Sequence, residues 1–152
     1  LRTRYFPNAK VSVLSNATMA VRPEVHAALA KVDNNILKLD TVDAAYIARV
    51  DRPTGDYDVE RIIRAMMDFK GHVIVQTLFM KGTSMGMNVD NTSDRYVLPW
   101  IEAVKRIAPQ SVMVYTIDRE TPDPDLQKAS PKELDGIADK LRAEGFEVEV
   151  AY

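Results

Sequence analysis

"SVMVYTIDRETPDPDLQKASPKEL", residues 111–134, has the pattern of one complete strand–loop–helix unit. Its apolar and β-branched residues predict a buried strand over 111–117. Asp118 and Arg119 end this apolar run, and two prolines then interrupt regular structure. The SPKE sequence that follows is a capping box with proline at the first helical position, so a helix is predicted over 131–144.

The same alternation of strand and helix is repeated along the rest of the chain. Strands are predicted over 11–18, 35–40, 72–80, 111–117 and 146–150, and helices over 22–32, 44–50, 57–70, the segment after residue 94 and 131–144. Crossover helices return a chain to the same edge of a sheet, so the strands should be parallel. Five units are too few for a closed eight-stranded barrel. We therefore expect an α/β fold over residues 1–152 as a single domain, either a doubly wound sheet or part of a barrel, with helices covering about five parallel strands.

Composition narrows the classes of function. The chain has 152 residues, a formal net charge of −2 and no cysteine. Without cysteine it can form neither disulfides nor thiolate metal sites, and it has no cysteine nucleophile. No basic stripe is present to neutralise phosphates, so DNA is not an expected partner. No apolar run reaches membrane-spanning length, and we expect a cytoplasmic protein with no membrane partner.

Each predicted strand changes from apolar to polar residues near its carboxyl end, where parallel α/β folds bind ligands. Either acid in this set, taken alone, could simply cap a following turn or helix. A whole ring of polar groups at one edge favours a polar pocket instead, because unpaired polar groups are costly inside a sheet. The residues concerned are Ser15, Asn16, Thr18, Lys38, Asp40, Gln76, Thr77, Lys81, Tyr115, Thr116, Asp118 and Arg119.

The segment GTSMG, residues 82–86, formally matches the nucleophile elbow of serine hydrolases. The elbow needs a helix directly after the serine and a histidine later in the chain. Polar residues prolong the loop here, and His26 and His72 both lie upstream. We therefore interpret 82–94 as a flexible loop over the rim of the sheet.

Four stretches together resemble the radical S-adenosylmethionine (radical SAM) superfamily. They are VLSNAT with RPEV, residues 13–25; ILKLDTVDAAYIARVDRP, 36–53; IVQTLFMKG, 74–82; and VYTIDRETPDPDLQKASPKEL, 114–134. The resemblance is to iron–sulfur oxidoreductases related to activating enzymes of glycyl-radical proteins and to tRNA-wybutosine-type enzymes. Two departures stand out: Ala17 replaces a glycine of the family pattern, and two extra residues follow Arg119 before the proline.

The resemblance implies a partial (β/α) barrel, a truncated TIM-barrel-like fold. In the family, a CxxxCxxC motif binds a 4Fe-4S cluster, and a glycine-rich motif contacts S-adenosylmethionine; neither motif occurs here. The chain is therefore expected to be the C-terminal part of the barrel without the cluster-binding segment. The intact oxidoreductase would cleave S-adenosylmethionine reductively and abstract hydrogen from a substrate. This chain alone is expected to be inactive and to bind no metal.

The resemblance also assigns site residues, although it identifies no catalytic one. Asp40 would contact the ribose or amino group of S-adenosylmethionine. Asn16 and Gln76 would be polar neighbours facing inward, and Tyr115 and Asp118 would face adenine or substrate. The substrate is a small molecule, a protein or RNA, and nothing in the sequence selects among them.

A function of another class stays open at this point. A cysteine-free α/β binding module, for a small polar ligand or a protein partner, also fits the sequence. An unpaired sheet edge at 11–18 would favour self-association, or else the covering of that edge by an N-terminal segment such as RTRYFPN, residues 2–8.

Overall fold

The computed structural model describes residues 2–121 and 123–152. Pro122, one of the two prolines after the fourth predicted strand, lies outside the described residues. The elements in chain order are α1 (Arg2–Tyr5), β1 (Ser12–Ser15), α2 (Pro23–Leu29), β2 (Asn34–Lys38), α3 (Ala44–Val50), α4 (Val59–Met67), β3 (Ile74–Leu78), β4 (Met80–Ser84), β5 (Met87–Asn88), α5 (Asp94–Ile107), β6 (Ser111–Tyr115), β7 (Leu126–Lys128), α6 (Pro131–Ala143) and β8 (Val148–Ala151).

Five strands form one parallel sheet in the order β1-β2-β3-β6-β8. The sheet is open, with β1 and β8 at its edges. Its register places Lys38 beside Gln76 and Leu78 beside Tyr115. The expected α/β fold with five parallel strands and covering helices is confirmed, and the open sheet is that of a partial barrel.

Within residues 2–121 and 123–152, the helices pack against one face of the sheet. Residues on this face, such as Leu37, Val75 and Val114, are buried against α2, α4, α5 and α6. Their neighbours on the other face, such as Ile74 and Met113, are only partly buried. We call this other face the open face. Alternation of side chains along each strand therefore separates a packing surface from an accessible one.

The β1 edge has β2 as its one neighbour within the described residues. The segment before it is held from the side: Asp33 accepts a hydrogen bond from the Val11 amide at 2.7 Å and pairs with Arg2. Self-association through this edge stays a prediction. No helix in the described part of the chain is long and apolar enough to cross a membrane.

The ends of two covering helices are fixed by side chains. The capping box of α6 is formed: the Glu133 amide donates to Ser130 Oγ at 3.3 Å, and the Ser130 amide donates to Glu133 Oε2 at 2.8 Å. Asp58 caps α4 by accepting from the Glu60 and Arg61 amides at 2.9 and 3.3 Å. Caps of this kind are worth about 1 kcal/mol each.

The prediction of a flexible loop over 82–94 is wrong. Most of it is a β-hairpin, in which β4 and β5 are joined by Met85 and Gly86 at φ 51° and 73°. Positive φ at both positions matches the twist that two-residue hairpins require. β4 also pairs antiparallel with β7, which makes a three-stranded sheet beyond the carboxyl end of β3. The two partners are far apart in sequence, and β7 is only three residues long, so no local pattern revealed the pairing.

One glycine makes this pairing possible. Gly82 has φ +93°, and a Cβ at this position would lie 2.1 Å from the Asp125 carbonyl oxygen. Any side chain here would therefore separate β4 from the segment that leads into β7.

Candidate functional site

A polar cavity of about 250 Å³ lies beyond the carboxyl ends of β1 and β2. We call it the inner cavity. The β1–α2 connection supplies one wall, the end of β2 the floor, and the loop between α3 and α4 the opposite wall. Its lining residues are Asn16, Thr18, Lys38, Asp40, Thr41, Asp51, Pro53 and Tyr57.

The backbone around Asp40 is held on both sides by the core. The Leu39 amide donates to the Gln76 carbonyl at 3.0 Å. The Leu39 carbonyl accepts from Thr77 Oγ1 at 2.8 Å and from Trp100 Nε1 at 2.9 Å. These buried hydrogen bonds continue the β2–β3 contact after the regular ladder ends, and they fix where the next side chain emerges.

The Asp40 carboxylate has two neighbours that favour its charged form. Its Oδ1 accepts the Leu78 amide at 2.7 Å, and its Oδ2 lies 3.2 Å from Lys38 Nζ. Burial raises the pKa of Asp40, and these two contacts oppose that effect. The charge of Asp40 is thus sensitive to any further hydrogen bond that a ligand donates to it.

Lys38 connects the cavity to the open face. Its Nζ lies 5.8 Å from the centre of the Tyr115 ring, within the range of a cation–π contact. Burial lowers the pKa of Lys38, but Asp40 and Tyr115 together outweigh this and leave the pKa raised. Lys38 therefore stays protonated and supplies a fixed positive charge to the cavity floor.

A second carboxyl group and a phenol come from the α3–α4 connection. Burial, with a contribution from the charge of Asp40, raises the pKa of Asp51 to about 6. Burial and the same acids raise the pKa of Tyr57 to about 12. The cavity thus presents two acids, an ammonium group and a protonated phenol, a set that can both donate and accept hydrogen bonds near neutral pH.

The structure brings together only part of the predicted site. Asn16 and Asp40 line the same cavity. Gln76 is the partner of Lys38 in register, and Tyr115 contacts Lys38 from the open face. Asp118 is exposed, three residues beyond the end of β6, and is not part of the cavity lining.

Two functional candidates escaped the sequence analysis, and a third had no assigned role. Asp51 and Tyr57 lie in the break after α3, where position relative to β2 depends on tertiary folding. The sequence offered one indication, because Asp51 directly precedes Arg52 and Pro53 at the break in the chain. The sequence predicted Lys38 as a polar residue at a strand end and assigned it no role. Its pairing with Asp40 arises because side chains two residues apart lie on the same face of an extended segment.

Other polar strand-end residues have structural roles. Thr77 is buried and holds the Leu39 carbonyl, as described above. Thr116 Oγ1 accepts the Ala129 amide at 2.8 Å, and Lys81 pairs with Glu133 at 2.7 Å. That ion pair, together with the hydrogen bonds from Ser130, lowers the pKa of Glu133 to about 2 and ties the hairpin to the start of α6.

Ala17, which replaces a glycine of the family pattern, has a backbone conformation that suits glycine. It is fully buried and has φ 64°, in the left-handed region. Glycine adopts this conformation without strain, whereas alanine adopts it at a cost of about 1–2 kcal/mol. The backbone turn at the end of β1 is therefore one that glycine suits, although alanine occupies it here.

Two curated proteins are similar to the chain in sequence. No family model matches the chain. A UPF0026 protein of Helicobacter pylori is 26% identical over 119 residues, which are 76% of this chain and 36% of that protein. A second Helicobacter pylori UPF0026 protein is 27% identical over 88 residues, 28% of its length. The chain therefore spans about a third of the length of these curated relatives.

Several solved structures are similar to the chain over most of its length. A radical SAM methyltransferase from Sphaerobacter thermophilus has a TM-score of 0.68 and 16% identity, over 91% of this chain and 39% of the other. A domain of pyruvate-formate lyase-activating enzyme from Bacteroides vulgatus gives 0.66 and 11%, over 92% and 81%. Streptococcus suis SuiB bound to S-adenosylmethionine gives 0.65 and 12%, over 93% and 32%. The fold that the resemblance implied is thus confirmed, since the chain shares the partial-barrel fold of these three structures over about nine-tenths of its length.

Proposed function

We propose that the inner cavity forms part of an S-adenosylmethionine site, and that the chain provides the later β/α units of a radical SAM iron–sulfur oxidoreductase. The observation that carries the proposal is the placement of Asp40 and Asn16 in one cavity at the carboxyl ends of β1 and β2. Ligands of parallel α/β folds bind at this end. SuiB, which has the same fold over 93% of this chain, is described as bound to S-adenosylmethionine.

The polar groups of the cavity fit a ribose. An ionised carboxylate can accept about four hydrogen bonds. Asp40 uses one for the Leu78 amide and one for Lys38, which leaves acceptor positions for two neighbouring hydroxyl groups. The Asn16 carbonyl oxygen is occupied by Thr18 at 2.9 Å, so Asn16 would offer its amide hydrogens to a ligand.

The volume fits part of the cofactor. Pockets that enclose whole small molecules measure about 300–1,000 Å³, whereas the inner cavity has about 250 Å³. We therefore assign it a ribose-sized group. The rest of the cofactor would extend over the open face towards Lys38, Gln76 and Tyr115.

The residues of this chain do not fit a 4Fe-4S cluster. The sequence contains no cysteine, and no group of three His, Cys, Asp or Glu side chains in residues 2–121 and 123–152 is arranged to hold a metal ion. Cluster ligands would have to come from another polypeptide segment, and we assign no step to the cluster on this chain. In enzymes of this kind, S-adenosylmethionine supplies the group that abstracts hydrogen.

The role of this chain would be to bind S-adenosylmethionine, to orient its ribose and to shield it from water. Asp40 would fix the ribose through its hydroxyls, and Lys38 would keep the carboxylate charged. Pro53 and Tyr57 line the cavity and would limit the access of water to the ribose.

The proposal is tested by titrating the ¹⁵N-labelled 152-residue chain with S-adenosylhomocysteine, which keeps the nucleoside and needs no cluster. We expect shifts at the amides of Asp40, Thr41 and Leu78. Asp40→Asn retains an acceptor for the Leu78 amide but loses the charge, so affinity should fall about tenfold or more, the scale of a charge-assisted hydrogen bond. Asp68→Asn, an exposed acid at the end of α4, is the matched control and should bind like the wild type.

Equal binding by the wild type and Asp40→Asn would remove Asp40 from the site. A folded wild type that shows no shifts at millimolar ligand would instead favour the alternative, a cysteine-free α/β module that binds another polar ligand or a protein partner.

A further inference from the structure

A second pocket, of about 570 Å³, adjoins the inner cavity. We call it the outer pocket. It lies between the β1–α2 connection, the α3–α4 loop and the first turn of α4. The two spaces share five lining residues, namely Asn16, Thr18, Asp51, Pro53 and Tyr57. A molecule in the outer pocket would therefore touch the walls of the proposed ribose site.

Three arginines from three separate segments line the outer pocket: Arg22, Arg52 and Arg61. All three are exposed, and none forms an ion pair with a carboxylate in the described part of the chain. Arg64, one turn further along α4, does pair with Glu60 at 3.3 Å. The arginines of the pocket are thus available to a ligand, whereas the neighbouring arginine of the same helix is not.

Three acids also line the outer pocket, namely Asp51, Asp56 and Asp58. Asp58 is occupied as the cap of α4. Asp51 faces the shared wall, and burial there raises its pKa to about 6, so it is partly protonated in mildly acidic solution. Asp56 is the remaining acid of the lining. The lining thus holds three guanidinium groups and three acids, and in the described part of the chain none of these acids forms an ion pair with the three arginines.

Arg52 also has an unusual backbone conformation. Its φ of 42° places a non-glycine residue in the left-handed region. Conformations of this kind cost about 1–3 kcal/mol and are found preferentially at binding and catalytic sites. The strained residue Arg52 directly precedes Pro53, which lines both the inner cavity and the outer pocket.

We propose that the outer pocket binds an oxyanion, a phosphate or carboxylate carried by a small-molecule substrate, whose remaining part lies against the wall that the two spaces share. The planar guanidinium group donates paired hydrogen bonds that match both oxyanions. A volume of about 570 Å³ is within the range of pockets that enclose metabolite-sized molecules. The role as a substrate site depends on the function proposed above, whereas oxyanion binding itself does not.

The experiment titrates the 152-residue chain with inorganic phosphate and, separately, with acetate. Sodium chloride holds the ionic strength constant, and binding is followed by ¹⁵N NMR. We expect shifts at Arg22, Arg52 and Arg61, and affinity for the preferred anion at least fivefold lower in Arg61→Gln and in Arg52→Gln. Preference for phosphate or for acetate identifies the substrate as phosphorylated or carboxylated. Circular dichroism shows whether each variant is folded. We expect folding to be retained, because the replaced arginines are exposed.

Arg64→Gln is the matched control, because it removes the same charge from the same helix three residues away and outside the pocket lining. It should bind the anion like the wild type. An equal loss in Arg64→Gln and Arg61→Gln would show a general charge effect and overturn the proposal. Absence of shifts with both anions at tens of millimolar would overturn it as well.

Titration of the same variants with S-adenosylhomocysteine separates this inference from the proposed function. We expect Arg61→Gln to leave that affinity unchanged. If it falls together with anion affinity, the arginines bind the carboxylate of the cofactor, and the substrate assignment is wrong. If the anion binds but the nucleoside does not, the oxyanion site stands and the cofactor proposal fails.

Discussion

Replacing Gly82 by alanine should open the contact between the hairpin and β7, because two separate costs fall on one residue. Its φ of +93° is unfavourable for alanine by about 1–2 kcal/mol. The new Cβ would also lie 2.1 Å from the Asp125 carbonyl oxygen, so the backbone must move by more than 1 Å. Forced displacements of this kind cost about 1–3 kcal/mol. We therefore expect a loss of about 2–5 kcal/mol, limited by the free energy needed to separate β4 from β7.

Two other glycines divide this loss into its parts. Gly86 has φ +73° but open space around it, so Gly86→Ala should lose only the conformational part, about 1–2 kcal/mol. Gly55 has neither a positive φ nor a neighbour within 4 Å, and Gly55→Ala should be neutral or slightly stabilising.

Urea unfolding gives the free energy of each glycine variant. Hydrogen exchange at the Thr83 amide, which donates to the Asp125 carbonyl at 3.2 Å, reports the local contact. That amide should lose protection in Gly82→Ala and keep it in Gly86→Ala. Equal destabilisation by the two variants, with the Thr83 amide still protected, would refute the reasoning.

Three further changes test the site and its support. Burial raises the pKa of Asp51 to about 6 from a usual value of 3.8. The folded state therefore holds this proton more tightly, and its contribution to stability is complete below pH 3.8 and is lost as pH rises through 6. Asp51→Asn should flatten the stability curve measured by urea unfolding across that window, and an unchanged curve would contradict the assignment. Trp100→Phe removes one of the two donors to the Leu39 carbonyl and should lower the free energy of unfolding by about 1 kcal/mol. The double variant Trp100→Phe/Thr77→Val should lose more than the sum of the two single variants, because both of these donors to the carbonyl are then removed. Ala17→Gly should be neutral or stabilising by up to about 1 kcal/mol in thermal unfolding, and a clear loss would mean that the left-handed conformation is not strained.

The elements that the sequence predicted well are those whose determinants are local. The helix α3 was predicted over 44–50, the range observed, and α6 differs by one residue at its end. Strands were predicted too long, because apolar residues continue beyond the point where the backbone leaves the ladder. Leu39 shows this: it is buried and bonded to β3, yet it lies after the end of β2.

The candidate site followed the same rule. Asp40 and Asn16 could be placed from strand direction alone, since parallel strands end at one edge. Asp51 and Tyr57 could not, because a loop between two helices carries them to that edge. Asp118 was expected at the same edge as Asp40, but β6 ends at Tyr115 and Asp118 does not line the inner cavity.

The order β1-β2-β3-β6-β8 bears on how the chain folds. Each strand of the large sheet lies beside the one that precedes it in that sheet along the sequence, so the sheet can grow by adding one strand at a time. Contacts between segments close in sequence form quickly, because little chain entropy is lost in closing each loop. The pairing of β4 with β7 spans 44 to 48 residues, little more than the 36 to 38 residues between paired positions of β2 and β3, β3 and β6, and β6 and β8, so loop closure does not distinguish the two sheets. The strands of the smaller sheet are short, with two residues in β5 and three in β7. We therefore expect the amides of the smaller sheet to gain protection from hydrogen exchange after those of the parallel sheet during refolding.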